Sequence, residues 1–252
     1  MKNKLMLRPI HYASVSGGKD SLFMLKLILE NPDKYPLDMV VNFDLEIEWD
    51  WEKKVVNYIE SECNRLGIKF FRIKPTHSWE YWVKKRNMPN RVVRWCNDRY
   101  KLSCEKQLKD WIKSLNCRPV AYVGLCADET KRFRYDIGNW EDKDICYPIA
   151  EEGITEGIIL EWAKTQPIFD NWYKHFPRGG CMCCPLCRQK EFAYLIIKAP
   201  EKYQYFRKYI KEYEDKFNRP WRAGKFIEEL EEFVVKKYKP IIEKEEKDLE
   251  IK

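Results

Sequence analysis

The stretch Ile10-His11-Tyr12-Ala13-Ser14-Val15-Ser16-Gly17-Gly18-Lys19-Asp20-Ser21 leads from a short apolar run through two adjacent glycines into the apolar segment Leu22–Leu29. This order predicts a strand over Ile10–Val15, a tight turn, and a helix that opens at the turn. Paired glycines let the backbone turn sharply and leave no side chains between its N–H groups and a bound anion. Ser16, Asp20 and Ser21 then fall where a helix N-terminus offers unpaired donors and the positive end of its dipole. Phosphate is the expected guest of such a turn. The spacing matches neither GxxxxGK[ST] nor GxGxxG.

Working outward, Met39–Phe43 reads as a second strand ending at Asp44, Trp51–Leu66 as a helix closed by Gly67, and Lys69–Ile73 as a third strand. Tyr100–Leu115 reads as a helix, Val120–Gly124 as a fourth strand and Ile145–Ile149 as a fifth extended segment. Thr155 is placed to cap a helix over Glu156–Lys164. Strands alternating with helices predict an α/β fold: a mostly parallel, doubly wound sheet of about five strands. Ligands of such sheets lie at the carboxyl ends of the strands, so the loops at Ser16, Asp44 and Gly124 are expected to line one crevice. From Pro185 onward the pattern turns helical, over Glu191–Lys198, Glu201–Phe217 and Lys225–Lys239, and the end, Glu243–Lys252, is almost wholly charged and reads as a solvated or frayed helix. The expected division is 1–180 for the α/β domain, 181–199 for a cysteine-rich segment, and 200–252 for a helical C-terminal appendage.

The chain has 252 residues, 35% of them charged and 15% aromatic, and a net charge of +7. That composition suits a compact, highly charged protein with a substantial core and argues against disorder. No run approaches the roughly 18–20 uncharged apolar residues of a membrane helix, and Met1-Lys2-Asn3-Lys4 leads into only a brief apolar stretch before Arg8. A cytoplasmic protein is expected. Positive charge concentrates at Lys84, Lys85, Arg86, Arg91, Arg94, Arg99 and Lys101, opposed only by Asp98 and interleaved with Trp82, Trp95 and Tyr100. This segment is either a solvated basic surface or a site for an anionic acceptor such as tRNA or DNA.

Ten cysteines without a leader argue for reduced thiols or metal ligands rather than disulfides. Four crowd into Arg178-Gly179-Gly180-Cys181-Met182-Cys183-Cys184-Pro185-Leu186-Cys187. Cys181 and Cys184 are spaced CxxC, and Cys184 and Cys187 repeat the spacing, so three thiolates can face one centre with Cys96 as the natural fourth. Four thiolates and no nearby histidine fit either zinc or a 4Fe-4S cluster; the alternative is a set of buried thiols acting as small hydrophobes. The remaining motif, Gly124-Leu125-Cys126-Ala127-Asp128-Glu129-Thr130-Lys131-Arg132, sets the acidic pair Asp128 and Glu129 beside a basic pair and suits a loop that orders a charged ligand.

Taken in order, Ser16–Ser21, Asp44, Arg94-x-Cys96, the Gly124–Arg132 loop, Tyr147-Pro148-Ile149 and Arg178-Gly-Gly-Cys-x-x-Cys-Pro resemble the phosphoadenosine phosphosulfate (PAPS) reductase family of the adenine nucleotide alpha hydrolase (PP-loop) superfamily, nearest its phage and mobile-element branch. The resemblance covers about residues 9 to 200. It implies ATP, PAPS or APS bound by Ser16, Gly17, Gly18, Lys19, Asp20 and Ser21, with Asp44, Gly124, Asp128 and Glu129 helping to seat it. Asp20 would hold Mg2+, Lys19 would help neutralise leaving pyrophosphate, and Arg178 would meet the phosphates or the acceptor. The resemblance also implies that Cys96 joins the later cysteines on an iron-sulfur cluster. The reaction it implies is ATP cleavage between the α and β phosphates, with adenylylation linked to sulfur transfer. Two alternatives stand beside it: a reductase of sulfonucleotides drawing on a thioredoxin-like partner, and a non-catalytic nucleotide- or nucleic-acid-binding accessory of a modification or defence system. Cys126 stands where family members often carry Arg, and no cysteine follows Cys187, so the attacking thiol of a sulfonucleotide reductase is missing.

Overall fold

A computed structural model describes residues 7–134, 144–222 and 224–250. The Met1–Lys4 stretch and the last two residues of the charged end lie outside the described residues. In chain order the elements are β1 (Pro9–Val15), α1 (Lys19–Glu30), β2 (Met39–Phe43), α2 (Asp50–Arg65), β3 (Lys69–Ile73), α3 (Trp79–Arg86), a π-helical turn (Cys96–Lys101) running into α4 (Leu102–Ser114), β4 (Arg118–Tyr122), β5 (Ile145–Cys146), α5 (Pro148–Glu151), α6 (Glu156–Thr165), α7 (Trp172–His175), α8 (Gln189–Lys198), α9 (Pro200–Phe217) and α10 (Ile227–Glu250). Among the described residues no helix is long and apolar enough to cross a membrane.

The chain forms two compact units. The first takes the chain up to Asp44, then Asp50–Pro75 and Leu102–Gly179; the second takes Leu45–Trp49, Thr76–Lys101 and the chain from Gly180 onward. The cysteine-rich segment and the C-terminal helices thus share a unit with two short segments from the first half of the chain. Sequence order alone does not carry that pairing.

The first unit is built on a parallel five-stranded sheet of order β3-β2-β1-β4-β5. The chain winds from β1 outward through β2 to β3 on one side, then returns to β4 and β5 on the other. The winding direction therefore switches between β1 and β4, where the loops after the two strands diverge. Strand β2, Met39-Val40-Val41-Asn42-Phe43, is buried along nearly its whole length, as a strand covered on both faces must be. On one face Tyr12, Met39, Val41 and Ala121 pack with Leu108 and Ile112 of α4. On the other, α1 buries Met24, Leu25 and Ile28 and packs with α5 and α6. Asn42 is the polar exception in β2: its Nδ2 donates to Val15 O at 2.9 Å and fixes the end of β1 where the glycine turn begins.

Local signals account for most of these elements. Val55, Ile59 and Cys63 recur at intervals of four on the buried face of α2, which ends in Gly67 at φ +71°. Three expectations are corrected. Ile145–Ile149 is not one extended segment, because Pro148 opens α5 and leaves only Ile145–Cys146 in the sheet. Thr155 makes no side-chain cap; Asp128 Oδ1 accepts from the Glu156 N–H at 3.0 Å instead. The charged end is helical as expected but is not a separate, frayed piece: helix α10 continues through Pro240 to Glu250. Ile242 is fully buried beyond the proline, and ion pairs of Glu245 with Lys190 and Glu246 with Lys198 tie the last turns to α8. Their burial and charge offset the hydrogen bond lost at the proline.

Candidate functional site

The turn after β1 takes its shape from a backbone that only glycine accommodates. Gly17 has φ +80°, and a Cβ there would stand 2.6 Å from the Glu52 carbonyl oxygen of α2. Gly18 is extended and precedes the first residue of α1. The Ser21 hydroxyl donates to Gly18 O at 2.9 Å and accepts from the Ser16 N–H at 3.2 Å, so the turn is closed by its own serines. The Lys19 N–H donates to the Tyr173 hydroxyl at 2.9 Å, whereas those of Asp20 and Ser21 lie in the first helical turn, where no intrahelical acceptor exists. Gly124, after β4, comes so close that a Cβ would lie 3.0 Å from Asp20 O. The two loops that diverge at the switch point therefore meet at the start of α1.

A cavity of about 380 Å3 opens here, lined by Tyr12, Ser14, Ser16, Gly18, Asp20, Ser21, Phe43, Glu105, Ala121, Val123, Gly124 and Arg132. Of the expected nucleotide residues, Ser16, Gly18, Asp20, Ser21 and Gly124 line it. Others contribute differently. Gly17 forms the turn from behind. Lys19 is almost fully buried, its Nζ 2.7 Å from Asp20 Oδ1 and 3.5 Å from Glu156 Oε1. Asp44 stands 3.7 Å from Lys74 Nζ, and its N–H holds Ile73 O at the edge of the sheet. Asp128 caps α6. Glu129 accepts from the Cys126 N–H and pairs with Arg132. Arg178 is exposed, and its carbonyl accepts from Trp172 Nε1 at 2.9 Å. The Arg178-Gly179 motif reaches the glycine turn through its neighbour: a Cβ on Gly179 would lie 3.1 Å from the Tyr173 hydroxyl, the group that holds Lys19 N–H.

Electrostatics around the turn are mixed. Burial pushes the Asp20 carboxyl above its ordinary range; Lys19 opposes that shift, and the charges of Glu129 and Glu156 add to it. The Cys126 sulfur lies 3.8 Å from Asp20 Oδ1, and burial together with Asp20 and Glu129 pushes its thiol up to about 12. Cys126 is thus a neutral thiol at physiological pH and offers no cation to an anionic ligand. Arg132 supplies a cation at the cavity mouth. The turn combines backbone donors, a lysine beneath it and several carboxylates, a setting in which an anionic ligand binds together with a divalent cation.

The second unit gathers the cysteines. Cys181 and Cys184 share a hydrogen bond, and both lie within electrostatic reach of Cys96, with Lys101 as the nearby cation. Cys96 reaches them from the start of the π-helical turn, next to Trp95, which packs on Trp79 at 4.9 Å between ring centroids. Burial pushes the thiols of Cys96 and Cys183 up, and the hydrogen bond with Cys184, followed by burial, pushes up that of Cys181. Cys187 bonds to Arg222: its sulfur accepts from Arg222 Nη1 at 2.9 Å and its carbonyl from Nη2 at 2.6 Å, and its thiol is raised by burial to about 11. Cys183 sits beside Cys187 and Cys184. Among the described residues no group of three or more His, Cys, Asp or Glu side chains stands in a metal-holding arrangement. The donor chemistry itself fits a thiophilic centre: three thiols at Cys96, Cys181 and Cys184 from two distant stretches of chain.

The basic segment of this unit is mostly exposed, with Val92 91% exposed between Arg91 and Arg94. Trp95 and Tyr100, however, are core residues, the latter donating to Leu45 O at 2.8 Å, so neither ring is free to stack on a base.

No protein-family model matches the chain. It is 26% identical over 195 residues to an uncharacterised protein of Methanocaldococcus jannaschii, a match covering 75% of this chain and 44% of that relative; the chain thus spans under half the relative's length. Among solved structures it is similar to the U34-tRNA thiolase NcsA from Methanococcus maripaludis with its 4Fe-4S cluster, at TM-score 0.44 and 15% identity, over 94% of this chain and 73% of that one. It is also similar to the phosphoadenylyl-sulfate (PAPS) reductase from Candida auris in a phosphate complex, at TM-score 0.36 and 14% identity, over 62% of this chain and 73% of that one.

Sequence reasoning passed over Tyr173, whose hydroxyl fixes Lys19 N–H, and Glu52, whose carbonyl excludes a side chain at Gly17. Both are distant in sequence from the turn, and neither carries a motif. Tyr12 and Ser14 were also passed over, although a signal for them exists: period two along β1 places them on the face that Ser16 continues.

Proposed function

We propose that the chain is a PP-loop enzyme of PAPS reductase-like type that binds ATP at Ser16–Ser21 and cleaves it between the α and β phosphates, with adenylyl transfer linked to sulfur chemistry. The observation that carries this reading is the glycine turn at the sheet's switch point, opening onto a cavity that Asp20 and Ser21 line. An acceptor oxygen attacks the α phosphorus; the bond from that phosphorus to the bridging oxygen breaks, and pyrophosphate leaves with the electron pair. The acceptor, now adenylylated, is open to displacement by a sulfur nucleophile, which expels AMP. Catalysis of the first step is positioning and charge stabilisation. Asp20 and Ser21 N–H groups meet phosphate oxygens, Lys19 contributes positive charge from beneath, and Arg132 faces the cavity mouth. Asp20 Oδ2, the oxygen that Lys19 does not take, would hold Mg2+, whose charge makes the triphosphate compatible with the carboxylates around the turn.

Cys96, Cys181 and Cys184 would hold a 4Fe-4S cluster or zinc, which would supply a soft, thiophilic centre. Cys187, bonded to Arg222, stands as a support rather than a ligand in this reading. The acceptor class favoured by the exposed charges at Lys84–Arg94 is nucleic acid.

Incubation with ATP, Mg2+ and candidate RNA or DNA acceptors tests the reading. Pyrophosphate release that disappears in Asp20→Ala supports it. Sulfite release from PAPS with a thiol reductant supports the reductase instead, and tight nucleotide binding with neither product favours a binding accessory.

A further inference from the structure

The cavity at the glycine turn extends well beyond it. Tyr12 lies four residues before Ser16 on β1, about 13 Å along the strand at ~3.3 Å per residue, yet both line the same space. Ala121 stands opposite Tyr12 at the far end, Val123 lies two residues nearer the turn, and Phe43 follows Asn42, the partner of Val15, at the turn itself; together they offer apolar surface suited to a flat ring. Two polar side chains also line the cavity, those of Tyr12 and Glu105. The Tyr12 hydroxyl is buried without any hydrogen-bond partner, on a residue 1% exposed. Glu105, in the first turn of α4, pairs its Oε1 with Lys109 Nζ at 2.6 Å and leaves Oε2 available. Burial and the charges of Glu105 and Asp144 push the Tyr12 phenol well up, which keeps its proton in place as a donor. An orphaned hydroxyl inside a packed sheet face is costly unless a ligand completes it.

We infer that Tyr12 and Glu105 read the edge of the nucleotide base, the Tyr12 hydroxyl donating to N1 of adenine and Glu105 Oε2 accepting from its N6 amine. The inference rests on the reading of Ser16–Ser21 as a nucleotide phosphate turn. One donor beside one acceptor matches the edge of adenine. Guanine can meet the same pair through O6 and its ring N–H, but its one amine, on C2, then lies beside that N–H, and with Oε1 held by Lys109 it finds no acceptor. Adenine nucleotides are thereby selected, and Glu105 and Tyr12 are specificity-determining residues.

The test is a set of affinities for ATP, purine-riboside triphosphate, which lacks the amine, and 1-deaza-ATP, which lacks N1. The protein is wild type, Glu105→Ala or Tyr12→Phe. In the wild type each deletion weakens binding about ten-fold or more, as expected for a buried hydrogen bond to a charged or otherwise orphaned group. In Glu105→Ala, ATP and purine-riboside triphosphate bind alike; in Tyr12→Phe, ATP and 1-deaza-ATP bind alike. Without ligand, Tyr12→Phe melts no lower than wild type, because it removes a hydroxyl that bonds to nothing. Equal penalties for each deleted group in wild type and variants overturn the inference while leaving the phosphate turn intact. So does a Tyr12→Phe protein that unfolds earlier but binds ATP unchanged. A wild-type protein that binds none of the three triphosphates overturns the underlying reading itself.

Discussion

Replacing Gly17 by alanine tests the geometry of the turn most severely. Two costs are read directly from the structure. The backbone at φ +80° disfavours any Cβ by about 1–2 kcal/mol. The new methyl would also lie 2.6 Å from the Glu52 carbonyl oxygen, a backbone atom of α2 that has no rotamer in which to escape. Forcing a group into a packed site of this kind costs about 1–3 kcal/mol more. Gly67 provides the control, since it has φ +71° with nothing within 4 Å of its would-be Cβ. Gly67→Ala therefore suffers only the dihedral cost. At about 2–4 °C per kcal/mol for a chain of this size, Gly17→Ala should melt roughly 6 °C below Gly67→Ala in thermal unfolding followed by circular dichroism. The stabilisation that ATP and Mg2+ give the wild type should vanish in Gly17→Ala and persist in Gly67→Ala. Equal melting temperatures for the two variants would refute the close approach of the turn to α2.

Three further outcomes follow from the same contacts. Tyr173→Phe leaves the buried Lys19 N–H without its acceptor and should cost about 1–3 kcal/mol, measurable by denaturant unfolding; an unchanged midpoint would remove Tyr173 from the support of the turn. Burial holds the His11 imidazole below its ordinary pKa, with Arg118 adding to the shift and Asp38 opposing it. The folded state thus favours neutral His11, and the stability this contributes is present above the unfolded pKa of about 6.5 and is lost as pH falls through the lowered folded value. The drop in melting temperature between pH 7.5 and 5 should be shallower in His11→Gln, and parallel profiles would contradict this. Anaerobic metal analysis of the purified protein should find iron or zinc, lost in Cys96→Ser and retained in Cys187→Ser; the reverse pattern would exchange the roles of the two sulfurs.

The parts legible in the sequence are those whose causes are local. A strand, two glycines and a helix start lie within a dozen residues, and Gly67 ends α2 where its composition says it should. The π-helical turn at Cys96–Lys101 and the capture of Cys187 by Arg222 were not legible, because each depends on packing between segments far apart in sequence. CxxC spacing states which sulfurs can meet, not which one a buried guanidinium will take. The same holds at the cavity beside the glycine turn. The alternation of Tyr12, Ser14 and Ser16 is written in β1, but that α4 lays Glu105 beside Tyr12 follows only from which sheet face the helix covers. Asp44 shows the converse: its position after β2 was read correctly, yet its carboxylate stands 3.7 Å from Lys74 and the residues lining the cavity do not include it.

The central claim is that Ser16–Ser21 holds a triphosphate for cleavage at the α phosphorus. It is tested most directly by incubating the protein with Mg2+ and ATP labelled at the α and γ phosphates, with candidate RNA or DNA acceptors, and separating the products. The account predicts labelled pyrophosphate, with the α label in AMP or on the acceptor, and neither product from Asp20→Ala. Release of inorganic phosphate with ADP, or turnover undiminished in Asp20→Ala, would contradict it.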